Sequence, residues 1–316
     1  MIQDILDRAV AEGGLPGIAA ELRDGDERWF GTAGAPRERD HEFRIGSTTK
    51  TFVATLMLTL VADGLAGLDD PQPGGTTLRQ LLSHTSGLAD YLRFQDEVNQ
   101  YECPTPAQLV AIGLAKPPAF PPGEGWHYSQ TNYALIGQLI ESITGRPLSR
   151  ALGRITEALP GTYLPVGDDA GFRGPHGRHY SRLHDPSPDA ETHDLTELNP
   201  SPFWAAGGMI STIPDLGDFF TALLRGDLLP PHLQDEMFTT VPTTDWLETG
   251  RYGLGISSLT LSGGETVWGM GGAIFGSWTY AYGSRDGRKI LVANTNGDWS
   301  DPIAIFTELL EAAFRS

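Results

Sequence analysis

Positive charge is scarce in this chain of 316 residues. Lysine and arginine together number 22 against 40 aspartates and glutamates, which gives a formal net charge of −18 at pH 7. Nucleic acids and anionic membrane surfaces carry dense negative charge that would repel such a protein, so neither is expected as a partner. Lysine itself occurs at only three positions, Lys50, Lys116 and Lys289.

Long apolar runs and paired cysteines are also missing. No apolar stretch reaches the roughly 20 residues that a membrane-spanning helix needs, so no membrane segment is expected. The single cysteine, Cys103, cannot form an internal disulfide, which is compatible with a reducing compartment. Residues 1–10 carry acids where a secretory signal carries lysine or arginine, and their apolar residues recur at helical spacing. These features predict a cytoplasmic protein that begins with a docking helix.

The residues that are present indicate a globular chain with a sizeable core, 40% hydrophobic and 20% charged. Helical patterns occur in the middle, as at 132–143, and close the chain at 304–314. Strand patterns separated by glycine-containing turns occur at both ends, at 17–23, 27–32, 254–261, 265–270, 277–283 and 289–295. The order predicts an α/β fold of the α+β type, in which N- and C-terminal helices flank an antiparallel sheet and a mainly helical region is inserted.

This organisation predicts two domains. Residues 1–65 and 201–316 would form the sheet domain, and residues 66–200 would form the mainly helical domain. Catalytic groups commonly gather in the cleft between two such parts, so we expect the active site there.

A serine and a lysine stand three residues apart in Phe43-Arg44-Ile45-Gly46-Ser47-Thr48-Thr49-Lys50. Residues i and i+3 share a face of a helix, and residues 49–62 are long and apolar enough to form a buried one. Burial lowers the pKa of a lysine toward neutrality, and a neutral lysine can take the proton of a serine. The pattern predicts Ser47 at the helix start, as its cap. The alternative is a serine cap followed by a solvated lysine, without catalytic meaning.

Two further segments could contribute to a site. Tyr128 lies in a loop before the predicted helix at 132–143, from which a tyrosine can project into a cleft. With a pKa of about 10 it can act as a base near neutral pH only if a cation such as Lys50 stabilises the phenolate; otherwise it is a packing aromatic. The strand at 267–276 is rich in glycine, which lets a backbone or a ligand approach closely or forms a bulge.

Together, in this order, these segments resemble the penicillin-recognising serine hydrolases, in the branch that holds D-alanyl-D-alanine carboxypeptidases, class C β-lactamases and related esterases. The resemblance spans nearly the whole chain. It is carried by Phe43 to Lys50, Leu81 to Leu88, Pro122 to Tyr133, Trp204 to Thr212, Tyr252 to Gly255 and Gly269 to Tyr282.

The resemblance implies a role for each matching residue. Ser47 is the nucleophile that forms an acyl-enzyme, and Lys50 and Tyr128 handle its proton, with either of them as the base. The backbone N–H groups of Ser47 and Ala273 form the oxyanion hole. No cofactor and no metal are implied.

The chain departs from the family pattern on the substrate side. Gln130 stands where the family usually has asparagine, and Met270 followed by Gly271 replaces a cation and a hydroxyl residue that bind a substrate's terminal carboxylate. The substrate-binding candidates are Gln130, Trp204, Met270, Gly271 and Gly272. The predicted substrate is therefore a small-molecule acyl donor, an ester or a neutral amide, without a free carboxylate on its leaving part.

Three functions stay open at this point. The leading one is an esterase or amidase, or a transacylase that passes the acyl group to an amine, as in small-molecule biosynthesis. The second is a D-alanyl-D-alanine carboxypeptidase or a β-lactamase. The third is a catalytically silent binding protein that keeps the pocket as a receptor.

Histidine gives no separate signal for a metal. His84 is predicted to be a hydrogen-bonded loop residue and not a base. The remaining candidates fall in the loop at 174–194 with irregular spacing, which favours a surface loop over a metal site. They are His176, His179, His184 and His193.

Overall fold

The computed structural model describes residues 1–183, 185, 187, 189–244, 246 and 249–315. The α-helices of this part of the chain are α1 (Ile2–Ala11), α2 (Thr49–Ala62), α3 (Leu78–Leu82), α4 (Gln95–Asn99), α5 (Pro106–Leu114), α6 (Gln130–Thr144), α7 (Leu148–Ala151), α8 (Gly153–Thr156), α9 (Trp204–Gly207), α10 (Ile213–Arg225), α11 (Pro231–Phe238) and α12 (Pro302–Ala313). Short 3₁₀ turns occur at Gly46–Thr48, Pro73–Gly75 and Tyr91–Arg93.

The strands are mostly antiparallel partners in one large sheet. They are β1 (Gly17–Asp24), β2 (Glu27–Gly34), β3 (Phe43–Arg44), β4 (Pro71–Gln72), β5 (Thr76–Thr77), β6 (Tyr180–Ser181), β7 (His193–Asp194), β8 (Ile210–Ser211), β9 (Val241–Pro242), β10 (Gly250–Tyr252), β11 (Ser257–Thr260), β12 (Thr266–Ile274), β13 (Ser277–Gly283) and β14 (Lys289–Thr295). The large sheet has eight strands in the order β2-β1-β14-β13-β12-β11-β10-β9.

Both ends of the chain build this sheet, as the sequence predicts. Strand β1 lies between β2 and β14, with Ile18 opposite Thr295 and Ala33. The β1–β2 hairpin turns at Gly25, whose φ of 60° is left-handed backbone that glycine adopts without a steric penalty. The predicted fold class is confirmed. The short strands β9 and β10 were not predicted, since two or three residues carry too little alternation to be recognised.

Helices cover both faces of the sheet. On one face α1 lies over β1 and β2 beside α12, which lies over β13 and β14. The ring of Phe306 stacks on that of Tyr280 at 4.3 Å. On the other face Phe52 of α2 stacks on Phe219 of α10 at 3.7 Å. The N-terminal docking helix beside the C-terminal helix is therefore confirmed. Among the described residues, no helix has the length and apolar character to cross a membrane.

The division into domains stays a prediction. The core cluster under α2 contains Phe52 and Met270 from the predicted sheet domain together with Leu135 and Ile140 from the predicted helical domain. The two parts thus share one core.

The loop at 174–194, which was predicted to lie at the surface, differs from that prediction at one histidine. His179 is buried, and its Nδ1 lies 2.9 Å from the carbonyl oxygen of Gly276 in the turn between β12 and β13. Burial lowers the pKa of His179 to about 3, so it is neutral. His184 lies outside the described residues. No group of three or more metal-ligating side chains occurs in the part of the chain that the structure describes.

Candidate active site

Ser47 lies in the middle of the 3₁₀ turn at Gly46–Thr48, and α2 begins after it at Thr49. The prediction that Ser47 caps the helix is wrong: Thr48 holds that position, and neither side chain makes a capping hydrogen bond. The hydroxyl of Ser47 instead accepts a hydrogen bond from Lys50 Nζ at 3.1 Å. The turn thus directs the serine toward the lysine and away from the helix backbone.

Two glycines let this turn approach strand β12. Gly46 has a φ of 50°, and a Cβ at this position would lie 2.7 Å from the carbonyl oxygen of Ala273. A Cβ on Gly272 would lie 1.9 Å from Ile45 O and 2.9 Å from Ser47 N. No real Cβ atom is accommodated at such distances. The backbones of Ser47 and Ala273 are therefore neighbours, as an oxyanion hole formed by their N–H groups requires.

Lys50 is fully buried within α2. Its Nζ lies 3.1 Å from Ser47 Oγ, 2.6 Å from Gln130 Oε1 and 2.6 Å from the carbonyl oxygen of Ala206. No carboxylate stands within salt-bridge distance of this nitrogen in the described part of the chain. Burial lowers the pKa of Lys50 to about 7, opposed by the negative charge of Asp90. The neutral amine is thus well populated at neutral pH.

Tyr128 differs from Lys50 in its proton affinity. Its hydroxyl is buried and makes no hydrogen bond of ordinary geometry among the described residues. Burial raises the pKa of Tyr128 well above 10, although the nearby Ser47 hydroxyl acts in the lowering direction. Lys50 Nζ lies over the face of the ring, 4.7 Å from its centroid. The idea that Lys50 stabilises a phenolate is therefore not supported, and Tyr128 keeps its proton near neutral pH.

Gln130 and Asp90 complete the surroundings of the lysine. The side-chain oxygen of Gln130 accepts from Lys50, while the Gln130 backbone N–H donates to Asp90 Oδ1 at 3.2 Å. Asp90 also accepts from the backbone N–H of Leu92 at 3.1 Å and is itself nearly buried. Sequence reasoning missed Asp90, because a lone aspartate between a leucine-rich segment and an aromatic gives no motif.

Three of the predicted substrate-binding residues make packing contacts. Met270 is 1% exposed and belongs to the core under α2. A Cβ on Gly271 would point at the ring of Tyr280, its cross-strand partner, at 3.0 Å. Trp204 packs its indole against Gly137 of α6. Gly272 lies where β12 approaches Ser47. Substrate binding by Trp204, Met270, Gly271 and Gly272 stays a prediction.

Two cavities flank the catalytic residues. One of about 610 Å³ reaches Ala273 and is mainly apolar, with walls that include Leu92, Val98, Leu198, Phe203 and Ile274. The other, of about 320 Å³, adjoins Tyr128 and contains Arg93, Phe120, Trp126, His127 and Trp246.

Ser47, Lys50, Tyr128 and the β12 backbone lie close together, as the resemblance implies. The sequence also matches the corresponding family over almost its whole length. Residues 2–313 match the family model described as Beta-lactamase. The chain belongs to the β-lactamase family. The resemblance inferred from the sequence motifs is thereby confirmed.

Solved relatives cover the whole chain. A D-stereospecific amidohydrolase from Streptomyces sp. superimposes with a TM-score of 0.91 and 43% identity, covering 99% of this chain and 97% of that one. A D-amino acid amidase from Ochrobactrum anthropi SV3, solved with D-phenylalanine, superimposes with a TM-score of 0.83 and 26% identity, covering 98% of this chain and 97% of that one.

A curated relative matches over a shorter stretch. Esterase EstB of Burkholderia gladioli is 33% identical over 146 residues, which are 38% of this chain and 37% of the esterase. The match thus spans about a third of that relative's length. The family and these neighbours are hydrolases, which confirms the prediction of a serine enzyme of the β-lactamase type.

Proposed function

We propose that this member of the β-lactamase family is a serine amidohydrolase and esterase that forms an acyl-enzyme at Ser47 from a small neutral amide or ester. One observation carries the proposal. Lys50 is buried, its Nζ lies 3.1 Å from Ser47 Oγ, and its pKa is lowered to about 7. A neutral amine at that distance can remove the serine proton at physiological pH.

In the first half-reaction, the Lys50 amine accepts the hydroxyl proton of Ser47 while Oγ forms a bond to the substrate carbonyl carbon. The π electrons move onto the carbonyl oxygen, and the N–H groups of Ser47 and Ala273 stabilise that charge. Collapse breaks the C–N or C–O bond, Tyr128 gives its proton to the leaving atom, and the Lys50 ammonium returns a proton to Tyr128. Lys50 is thus the base and Tyr128 the acid.

Water is the proposed acceptor in the second half-reaction. It gives a proton to the Lys50 amine while its oxygen forms a bond to the acyl carbon. The bond between that carbon and Ser47 Oγ then breaks, and the Lys50 ammonium returns the proton to Oγ, which releases the acid and regenerates Ser47. Transfer of the acyl group to an amine, and a role in small-molecule biosynthesis, stay predictions.

The acyl part of the substrate is proposed to carry a bulky apolar side chain in the D configuration. The mainly apolar cavity of about 610 Å³ beside Ala273 supports the apolar side chain. Similarity to a D-stereospecific amidohydrolase and to a D-amino acid amidase solved with D-phenylalanine supports the configuration and the amide. D-Phenylalanine amide is therefore the proposed test substrate.

The test is covalent labelling of Ser47. Intact mass and peptide mapping after incubation with an activated ester of D-phenylalanine should find an acyl adduct on Ser47, absent in Ser47→Ala and present in Ser262→Ala, which changes an exposed hairpin serine. The kcat/KM for D-phenylalanine amide should exceed that for the L enantiomer by at least about tenfold. An adduct elsewhere, or none with any ester or amide, would favour the silent receptor, and efficient opening of penicillins would favour a β-lactamase.

A further inference from the structure

A buried histidine outside the proposed acid–base relay contacts the loop of Tyr128 at three points. His84 is fully buried in the turn that follows α3. Its carbonyl oxygen accepts from the backbone N–H of His127 at 2.9 Å, and its Nδ1 accepts from the backbone N–H of Ser129 at 3.2 Å. One residue thus binds the chain on both sides of Tyr128.

The third contact is made by the ring. The imidazole of His84 lies 4.3 Å from the ring of Tyr128, centroid to centroid, with a tilt of 34°. The rings of Tyr133 and Tyr252 lie on its other sides at 5.3 and 4.9 Å. Such packing leaves the Tyr128 ring little freedom to tilt away from Ser47.

The imidazole is held in one protonation state. Asn132 Nδ2 lies 2.9 Å from His84 Nδ1, and Asn132 Oδ1 accepts from Ser86 Oγ at 2.6 Å, which orients the amide with its nitrogen toward the histidine. Two donors therefore point at Nδ1, which must be an acceptor, so the proton of the neutral ring is on Nε2. Burial lowers the pKa of His84 well below its usual range, and the charge of Lys50 adds to this effect. Both agree with a neutral ring.

The backbone conformation of His84 is unusual. Its φ of 62° is in the left-handed region, where residues other than glycine are uncommon. Strained positions of this kind persist only where the surroundings impose them, and they cluster at functional sites. Here the conformation lets the carbonyl oxygen and the side chain of one residue reach His127 and Ser129 at the same time.

We propose that His84 is a positioning residue that holds Tyr128 in the orientation from which its hydroxyl passes a proton to the leaving group. The proposal rests on the proposed function of Tyr128. His84 itself neither touches the substrate nor exchanges a proton in the reaction. Its contribution is to restrict the loop at 127–129 and the Tyr128 ring, which raises the fraction of enzyme with the relay aligned.

The test is a double-mutant cycle with D-phenylalanine amide as the substrate. His84→Leu removes the acceptor and the ring stacking, and His84→Asn keeps a side-chain acceptor and tolerates the left-handed backbone. In the wild-type background, His84→Leu should lower kcat at least about tenfold while KM stays within about threefold, and His84→Asn should recover part of the loss. In the Tyr128→Phe background, both substitutions should change kcat by less than about twofold.

Equal losses in the two backgrounds would overturn the proposal, because His84 would then act on stability and not through Tyr128. Circular dichroism and thermal melting identify a variant that does not fold. If His84→Leu does not fold, the proposal is tested by comparing the kcat change caused by His84→Asn in the wild-type and Tyr128→Phe backgrounds. A wild-type kcat for His84→Asn would then mean that His84 contributes to folding and not to the orientation of Tyr128. A fully active Tyr128→Phe would overturn both this proposal and the relay, whereas the Ser47 adduct tests the proposed acyl-enzyme independently.

Discussion

At the scale of single residues, the chemistry depends on where one lysine is buried. Lys50 gains three hydrogen-bond acceptors but no carboxylate partner within reach in the described residues, so desolvation outweighs attraction and its pKa is lowered to about 7. A lysine at the protein surface would be almost wholly protonated at pH 7 and could not serve as a base. In the proposed mechanism, the burial of Lys50 is therefore what allows it to accept the proton of Ser47.

This pKa gives the first prediction about pH. The base is the neutral form of Lys50, so kcat/KM should fall as the pH decreases through about 7. Asp90 raises the pKa of Lys50, so Asp90→Asn should lower that pKa and move the acid limb of the profile to lower pH. The asparagine oxygen can still accept from Leu92 and Gln130. The measurement is the pH dependence of kcat/KM, with Asp227→Asn, an exposed aspartate after α10, as the control. An unmoved limb in Asp90→Asn would contradict Lys50 as the titrating base.

At the scale of elements, the site depends on the contact between a 3₁₀ turn and a strand. Gly46 and Gly272 face each other across this contact, and neither position has room for a Cβ. The sequence predicts a glycine-rich strand there and leaves open a bulge or a close approach. The strand has no bulge there, because β12 pairs regularly with β13 from Trp268 to Ile274. The glycine instead allows the close approach of the Ser47 turn to the strand.

Gly272→Ala tests this contact. Its Cβ would lie 1.9 Å from Ile45 O, so the turn and the strand must separate, and the N–H groups of Ser47 and Ala273 would no longer point at one oxygen. Loss of an oxyanion contact lowers kcat by about a hundredfold or more. Gly263→Ala is the matched control, because a Cβ on this glycine meets no atom within 4 Å. The measurement is the rate of Ser47 acylation, and a normal rate in Gly272→Ala would show that the two backbones need not touch.

At the scale of the whole molecule, we expect the net charge and the shape of the cavities to determine which substrates bind. The net charge is −18, the Met270 side chain is in the core and the Gly271 position is covered by Tyr280. The cation and the hydroxyl that bind a terminal carboxylate in the resembling family thus have no counterpart at these positions. The remaining cleft is apolar beside Ala273 and aromatic beside Tyr128.

A dipeptide with a D-phenylalanyl acyl part should therefore be cleaved faster as its terminal methyl ester than as its free acid. A lost charge-assisted hydrogen bond to a carboxylate corresponds to about 1.5–3 kcal/mol, or roughly ten- to a hundredfold in kcat/KM. Measurement at low and high salt separates two causes, since salt screens repulsion by the net charge but not the loss of a direct contact. Preference for the free acid would contradict the prediction and would indicate Arg93, in the cavity beside Tyr128, as a carboxylate anchor.

Elements whose signals are local could be predicted from the amino-acid sequence. The helix of Lys50, the β1–β2 hairpin, the strands β13 and β14 and the terminal helices follow from periodicity and turn residues, because these depend on neighbours in the chain. The spacing of Ser47 and Lys50 likewise follows from one helical turn. Family resemblance then added Tyr128 and Ala273, which no local pattern distinguishes from a packing aromatic and a strand residue.

Properties that depend on contacts between distant segments could be seen only after folding. The pKa values of Lys50 and Tyr128 depend on burial beneath segments far away in sequence, such as Ala206 and Tyr252. The burial of Met270, the packing of Trp204 against α6, and the contacts of Asp90 and His84 also arise from packing between distant segments. Desolvation and hydrogen bonding are properties of the assembled surroundings, so no reading of neighbouring residues could have supplied them.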